Sequence, residues 1–282
     1  MAPRRRNLLL WILALLLMLG TAVWQRRTGP TYPLEARIEV GGQSLSFKLP
    51  RSQETSSSAR VAVPDPGFGT ELHWRRFPTN EPWTVVPMEA RDGQRGAELP
   101  VQPAAGKVEY RIVFQAPEGA RAFPEGDPVV LRYKDPVSVP LLLGHVAAMF
   151  FGMLIGLRAG LRALMDEPGL ARLAWVAFGL LTLGGLILGP FVQKQAFGAY
   201  WTGWPFGHDL TDNKTLLMWL AWMVAAVLVA AAPGRVGRGA AVLACLAMLA
   251  VYLVPHSLRG SQLDYGRLEG GADPKAALTT GP

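Results

Sequence analysis

The chain has 282 residues, of which 50% are hydrophobic and only 17% are charged, and its mean hydropathy is positive. Soluble domains carry about 25% charged residues, so this composition excludes an ordinary soluble protein and indicates a membrane protein. The net charge of +7 does not indicate nucleic-acid binding, because the basic residues lie mainly at the ends of apolar segments. The single cysteine, Cys245, lies within an apolar run, and we interpret it as a small buried hydrophobic residue.

Residues 1–24 are predicted to form a membrane anchor. Arg4, Arg5 and Arg6 precede an apolar run from Leu8 to Trp24. This run is longer than the ~7–15 apolar residues of a typical signal peptide, and no clean small-x-small cleavage site follows it. We therefore favour a retained anchor, with a cleaved signal peptide as the alternative. In both cases the arginines stay in the cytoplasm and the next segment is exported.

Residues 25–137 are predicted to form an extracytoplasmic, all-β, sandwich-like domain. Turn residues such as Gly41-Gly42 and Asp92-Gly93 separate short runs of β-forming residues. In one run, residues 108, 110, 112 and 114 alternate with Glu109 and Arg111, which is the period of a strand. About seven short strands in ~100 residues fit an immunoglobulin-like sandwich. The runs are Glu35–Val40, Leu45–Leu49, Arg60–Val63, Glu71–Trp74, Trp83–Pro87, Lys107–Gln115 and Val129–Tyr133.

Residues 138–258 are predicted to form a four-helix membrane domain. Each of its four apolar segments is long enough to cross about 30 Å of hydrocarbon: Val139–Leu157, Leu173–Val192, Thr215–Ala232 and Gly239–Pro255. The connectors 158–172 and 233–238 contain several arginines, whereas the loop 193–213 contains only Lys194. Because arginine-rich loops stay in the cytoplasm, we expect the N-terminus inside and the C-terminus outside a bacterial inner membrane. The tail, 259–282, is expected to be flexible.

Three of the four histidines fall at the predicted outer face of this bundle: His145, His208 and His256. Ionisable residues at membrane depth are costly and often functional. A neutral imidazole is also the commonest metal ligand, and it can hold a heme iron. The alternative is that each histidine simply tolerates the membrane interface.

The loop 193–213 is unusually rich in aromatic residues and glycine. An interfacial aromatic belt would account for Trp201 and Trp204. The interleaved glycines indicate either close approach to a flat ligand or a tightly folded loop. We expect Asp212 or Asn213 to cap the helix that follows the loop, and Asp209 to orient the neighbouring His208.

The segment Phe197-Gly198-Ala199-Tyr200-Trp201, followed by Trp204, Asp209 and Thr211, resembles the tryptophan-rich WWD motif of heme-handling membrane proteins of cytochrome c maturation. The resemblance covers about residues 139–258, including the order histidine, two helices, motif loop, two helices, histidine. It implies that His145 and His256 are the axial ligands of a heme iron. It further implies that Phe197, Tyr200, Trp201 and Trp204 line the porphyrin. The predicted cofactor-binding set also includes Gly198, His208, Asp209 and Arg259.

Two departures from the motif are visible. Phe197 stands at the first tryptophan position, and four residues separate Trp204 from Asp209. Arg259 has two interpretations: it pairs with a heme propionate, or it is an arginine that extends to the membrane interface.

The leading hypothesis is an integral membrane protein whose outward-facing pocket binds heme or a related metal centre, in cytochrome biogenesis or heme handling. The alternative is a non-catalytic assembly subunit whose β-domain, residues 25–137, docks an extracytoplasmic protein. A third hypothesis is a divalent-metal site made of His208, Asp209 and Asp212. The chain contains no G-x-S-x-G, H-E-x-x-H or P-loop motif, which favours a non-enzymatic role.

Overall fold

The computed structural model describes residues 3–232, 234–256 and 260–280. Within them, five helices are long and apolar enough to cross a membrane: Arg4–Thr28, Val139–Leu164, Leu170–Phe197, Leu210–Ala231 and Arg235–Leu253. Each contains most of an apolar segment predicted from the sequence. The second of these helices continues past its predicted end at Leu157, so Arg158 and Arg162 are helical residues and do not lie in a connector.

The third of these spans is interrupted by a π-helix. The helices are α1 Pro3–Thr28, α2 Val139–Leu164, α3 Leu170–Leu181, α4 Gly189–Phe197, α5 Leu210–Ala231, α6 Arg235–Leu253 and the short α7 Tyr265–Glu269. The π-helix, Thr182–Leu188, joins α3 to α4, and its backbone closes with the Gly189 N–H donating to the Gly184 carbonyl. Such π segments occur frequently at functional sites.

Glycines on α2 allow close packing of the bundle. A Cβ at Gly156 would lie 2.9 Å from the Trp222 ring of α5, and one at Gly160 would lie 2.5 Å from the Cys245 sulfur of α6. Small residues let helices approach in this way in membrane bundles. Cys245 is buried and free, which confirms its interpretation as a buried hydrophobic residue. Helix α1 packs on α2 and α6, and the Gln25 amide donates to the Tyr252 carbonyl.

All seven predicted β runs form strands. The strands of this domain are β1 Leu34–Val40, β2 Gln43–Leu49, β3 Ser52–Glu54, β4 Ala59–Pro64, β5 Thr70–Phe77, β6 Thr84–Pro87, β7 Glu89–Arg91, β8 Gln94–Leu99, β9 Lys107–Ala116, β10 Gly119–Phe123 and β11 Val129–Lys134. One sheet has the order β3-β11-β9-β5-β6 with β10 beside β9, a second has the order β4-β8-β7, and β1 pairs with β2.

These sheets share one hydrophobic core. Residues 108, 110, 112 and 114 of β9 are completely buried, which confirms the alternation seen in the sequence. The intervening Glu109 forms an ion pair with Arg75 on the adjacent β5. The two-residue turns Gly41-Gly42 and Asp92-Gly93 have positive φ angles, as tight hairpins require. The immunoglobulin-like arrangement of the sheets stays a prediction.

The C-terminal segment 260–280 is packed, in contrast to the flexible tail expected from its composition. Strand β12 Ser261–Leu263 pairs with β13 Leu278–Thr280, and α7 lies between them in the chain. Tyr265 is only 4% exposed, and its hydroxyl is 3.0 Å from the Lys107 backbone nitrogen of β9. The Arg76 guanidinium covers the Tyr265 ring and forms an ion pair with Glu269. A few buried residues are therefore enough to fix this polar segment to the β-domain.

Replacing Tyr265 with alanine is expected to release the C-terminal segment, because the side chain anchors it by burial and by hydrogen bonds to β9. Removing a buried aromatic side chain costs about 3–5 kcal/mol. Limited proteolysis of the full-length protein should therefore cut residues 260–280 at least about tenfold faster than in the wild type. Arg267→Ala, on the exposed side of the same helix, is the matched control. Equal cleavage rates for the two variants would contradict this role of Tyr265.

Candidate functional site

A cavity of about 360 Å³ lies where the helical bundle meets the β-domain. This volume falls within the range of small-molecule sites, about 300–1,000 Å³. Its walls come from α1, α2, the π-helix, α4, α5, α6 and β11, and from single residues just before α5 and just after α6. The apolar part of the lining includes Leu142, Val146, Met149, Phe150 and Val192, and the polar part includes Gln25, Arg132, His145, Gln193, Asp209, Asp212 and His256. We refer to this space as the histidine cavity.

His145 is held by the π-helix. Its Nδ1 lies 2.9 Å from the Gly184 carbonyl oxygen, which also accepts the Gly189 N–H. Since a carbonyl only accepts, Nδ1 carries the proton and donates it, and Nε2 keeps a free lone pair. Histidines that ligate metals are commonly oriented by such a bond to a backbone carbonyl.

His256 lines the same cavity from the end of α6. The residue is exposed to solvent, although many protein groups lie near its imidazole. Desolvation, with the Lys214 ammonium and His145 close by, lowers the pKa of His256 to about 4, so the imidazole is neutral at pH 7. Lys214 Nζ donates to the carbonyls of Val254 and Pro255 at 2.6 and 3.2 Å, which fixes the chain leading to His256.

Asp209 is the N-cap of α5, and the predicted cap at Asp212 or Asn213 is wrong. Asp209 Oδ1 accepts the backbone N–H of Thr211 at 2.8 Å and that of Asp212 at 3.4 Å. Its Oδ2 accepts the Ser261 N–H at 3.0 Å. One buried carboxylate thus joins the start of α5 to the C-terminal segment.

His208 is not oriented by Asp209. Its side chain is exposed, and its backbone N–H donates to Thr280 Oγ1 at 3.2 Å. Within the described part of the chain, no three or more His, Cys, Asp or Glu side chains are grouped to hold a metal ion. His208, Asp209 and Asp212 therefore form no such group.

The aromatic loop between α4 and α5 folds tightly on itself. Asp212 Oδ2 accepts the Thr202 N–H at 2.7 Å, and Asn213 Oδ1 accepts the Trp204 N–H at 2.6 Å. A Cβ at Gly203 would lie 2.5 Å from Asp212 Cβ, and one at Gly207 would lie 2.4 Å from the Thr202 carbonyl oxygen. Of the two interpretations of the glycines, the tightly folded loop is therefore the one that these contacts explain.

The aromatic side chains of this loop are largely exposed. Trp204 is 66% exposed and Phe206 is 83% exposed. Tyr200 stacks edge-on against Phe191, and the Trp201 Nε1–H donates to the Trp204 carbonyl. The residues that line the histidine cavity do not include Tyr200, Trp201, Trp204, Phe206 or His208. Gly198 does not line it either: it ends α4 with a φ of 88°.

Of the residues predicted for a cofactor site, the fold brings four to the histidine cavity: His145, His256, Phe197 and Asp209. Arg259 lies outside the described residues. Arg132, which was not among the predicted site residues, also lines the cavity. A signal for it existed, because Arg132 is the one charged residue within the apolar run 129–133.

No protein-family model matches the chain, and no curated protein matches it either. The cavity and the residues around it are therefore the basis for assigning a function.

Proposed function

We propose that this protein is an integral protein of the bacterial inner membrane that binds heme in the histidine cavity, with His145 and His256 as the two axial ligands. The observation that carries the proposal is that these two imidazoles, which are distant in the sequence, line one cavity. The N-terminus would be cytoplasmic and the β-domain extracytoplasmic. The arginines at the opposite end of the bundle support this orientation, among them Arg158, Arg162 and Arg238.

The chemistry of the cavity suits heme. The apolar side chains of α2 and α4 offer a surface for a macrocycle. Both imidazoles can present an unprotonated nitrogen. The His145 Nδ1–H donates to the Gly184 carbonyl, which leaves Nε2 free, and His256 has a low pKa. Asp209 is engaged by backbone N–H groups, as is Asp212, so neither is needed as a ligand. Bound heme would supply an iron centre, and the chain would position it and shield it from water.

In this proposal the protein holds or hands over heme during cytochrome biogenesis, and the β-domain docks an extracytoplasmic partner. A second candidate is an assembly subunit with no cofactor. The exposed loop tip formed by Trp204, Pro205 and Phe206 favours it, because exposed aromatic residues are typical of interface anchors. Loss of a membrane partner in Trp204→Ala/Phe206→Ala, together with full tolerance of both histidine changes, would support this second candidate.

The test of the leading proposal is a hemin titration of the purified full-length protein, followed by its absorption spectrum. The wild type should bind hemin with a shifted Soret band. His145→Ala and His256→Ala should each weaken binding by about tenfold or more, because each removes one iron ligand. His73→Ala is the matched control, since His73 lies in β5 beside Glu71. A wild type that does not bind hemin, or binding unchanged in both cavity variants, would refute the proposal.

A further inference from the structure

A second cavity, of about 460 Å³, adjoins the histidine cavity on the side of the β-domain. Four basic side chains line it: Arg26, Arg51, Arg132 and Lys134. They come from the end of α1, the connection between β2 and β3, and β11. None of the described residues that line this space is acidic. We refer to it as the basic cavity.

Arg132 is the most buried of these four residues. Its side chain stacks over the Phe197 ring with Cζ 4.0 Å from the centroid, and Nη2 donates to the Ser261 carbonyl at 2.8 Å. The residue is 8% exposed, and its buried Nε has no hydrogen-bond partner among the described residues. Desolvation lowers the pKa of Arg132 to about 10, and the charge of the nearby Asp209 opposes this shift, so the guanidinium is still charged at neutral pH. A buried charge with an unused donor is costly unless an anion compensates it.

The other three basic groups are poorly neutralised. Among the described residues, only Lys134 forms an ion pair, with Glu54 at 3.5 Å. Arg26 lies over the Tyr32 ring, where it meets no carboxylate. Arg51 is half-buried, and desolvation lowers its pKa. The basic cavity therefore carries an excess of positive charge that the described residues do not balance.

The basic cavity lies next to the largely apolar histidine cavity and shares lining residues with it. Arg132 and Phe197 line both spaces. A third space, of about 300 Å³, shares Arg26 with the basic cavity and His256 with the histidine cavity. Apolar and cationic surfaces thus lie side by side, and a molecule with an apolar body and an anionic end matches that arrangement.

We propose that the basic cavity binds the carboxylate or phosphate group of an amphipathic ligand whose apolar body lies in the histidine cavity. Guanidinium groups suit this task, because their planar N–H donors match the oxygens of carboxylates and phosphates. Heme propionates and the headgroup of an anionic lipid share this chemistry. The inference deepens the proposed function if the ligand is heme, but it does not require heme.

The experiment compares charged and neutral ligands on delipidated full-length protein. One arm titrates hemin and hemin dimethyl ester, which differ only in the masked propionates. The other arm measures, by native mass spectrometry, how tightly phosphatidylglycerol and phosphatidylcholine are retained. At least one anionic ligand should bind about tenfold or more tightly than its neutral counterpart. Arg51→Gln should remove most of that preference, and so should Lys134→Gln.

Arg91→Gln is the control, because it removes the same charge from an exposed hairpin of the β-domain. Arg132→Gln should have the largest effect, but it also removes a hydrogen bond to Ser261. If that variant does not fold, the variants of the half-exposed Arg51 and Lys134 decide the outcome. Equal binding of charged and neutral ligands in both arms would overturn the proposal. A preference that is unchanged in Arg51→Gln and Lys134→Gln would also overturn it.

The two proposals can fail separately. If hemin gives no shifted Soret band while retention of phosphatidylglycerol depends on Arg51, the anion site stands and the heme proposal fails. If hemin and its dimethyl ester bind equally through His145 and His256, and neither lipid is preferred, the heme proposal stands and the anion site fails.

Discussion

Asp209→Ala is expected to lower the free energy of unfolding by about 2–4 kcal/mol. The change removes the N-cap of α5, which is worth about 0.5–2 kcal/mol. It also leaves the buried Ser261 N–H without its acceptor, which costs about 1–3 kcal/mol. The structure of the histidine cavity should also change, because Asp209 lines it and joins α5 to the segment that follows His256. Chemical unfolding of the full-length protein in detergent measures the effect.

Asp209→Asn provides the control for this prediction. Asparagine caps helices about as well as aspartate, but it has only one acceptor oxygen, so it cannot also accept the Ser261 N–H. This variant should therefore recover only the capping part of the lost stability. Asp264→Ala, at the N-cap of the short and more exposed α7, should cost much less. The account of Asp209 would be contradicted if alanine at this position left stability unchanged, or if asparagine restored the stability of the wild type completely.

Glu167→Ala is expected to cost about 3–5 kcal/mol, at the opposite end of the bundle. Arg158 is fully buried there, and its Nη2 donates to Glu167 and to Asn7, each at 2.8 Å. Arg6 also contacts Glu167, with Nε 3.1 Å from Oε1. Removal of the carboxylate would leave the Arg158 charge buried and uncompensated, which is the costly way to break such a pair. The thermal unfolding temperature in detergent should fall accordingly.

Two further variants test this explanation. Glu125→Ala breaks the exposed pair with Arg121 and should change stability by no more than about 1 kcal/mol. Arg158→Met/Glu167→Ala should regain part of the stability lost in the single variant, because it removes the buried charge itself. A double variant that is less stable than Glu167→Ala would show that the contacts of Arg158 with Asn7 and Trp11 matter more than its charge.

The regular elements could be predicted because each is encoded locally. The apolar runs are long enough to mark all five candidate spans, and the alternation in residues 108–114 marks a buried strand. Strand β8 was missed since its sequence, residues 94–99, has few β-forming residues; its pairing with β4 supplies what local preference does not. The same tertiary effect orders the C-terminal segment, which is polar overall but buries Leu263, Tyr265 and Ala277.

The site was only partly predictable, because contacts between distant segments decide it. The position of His145 and His256 at one end of the bundle followed from counting helices. The choice of Asp209 over Asp212 as the N-cap depends on where α5 begins, which the residue types alone do not determine. Arg132 reaches the cavity only because the β-domain docks on the bundle.

The resemblance to heme-handling proteins stays a prediction. The structure brings only some of the residues of that pattern to the cavity. The two histidines of that pattern meet at one cavity, whereas Tyr200, Trp201 and Trp204 lie outside its lining. The four residues that separate Trp204 from Asp209 include Phe206, at the exposed tip of the loop. The histidine pair, and not the aromatic loop, is therefore the basis of the heme proposal.

The most direct test of this proposal is the electron paramagnetic resonance spectrum of the ferric, hemin-loaded full-length protein. With His145 and His256 both bound to the iron, the wild type should show a low-spin signal, and each single alanine variant should lose it in favour of a high-spin signal. A low-spin signal that persists in both variants, or a wild type with only the spectrum of free hemin, would contradict the account.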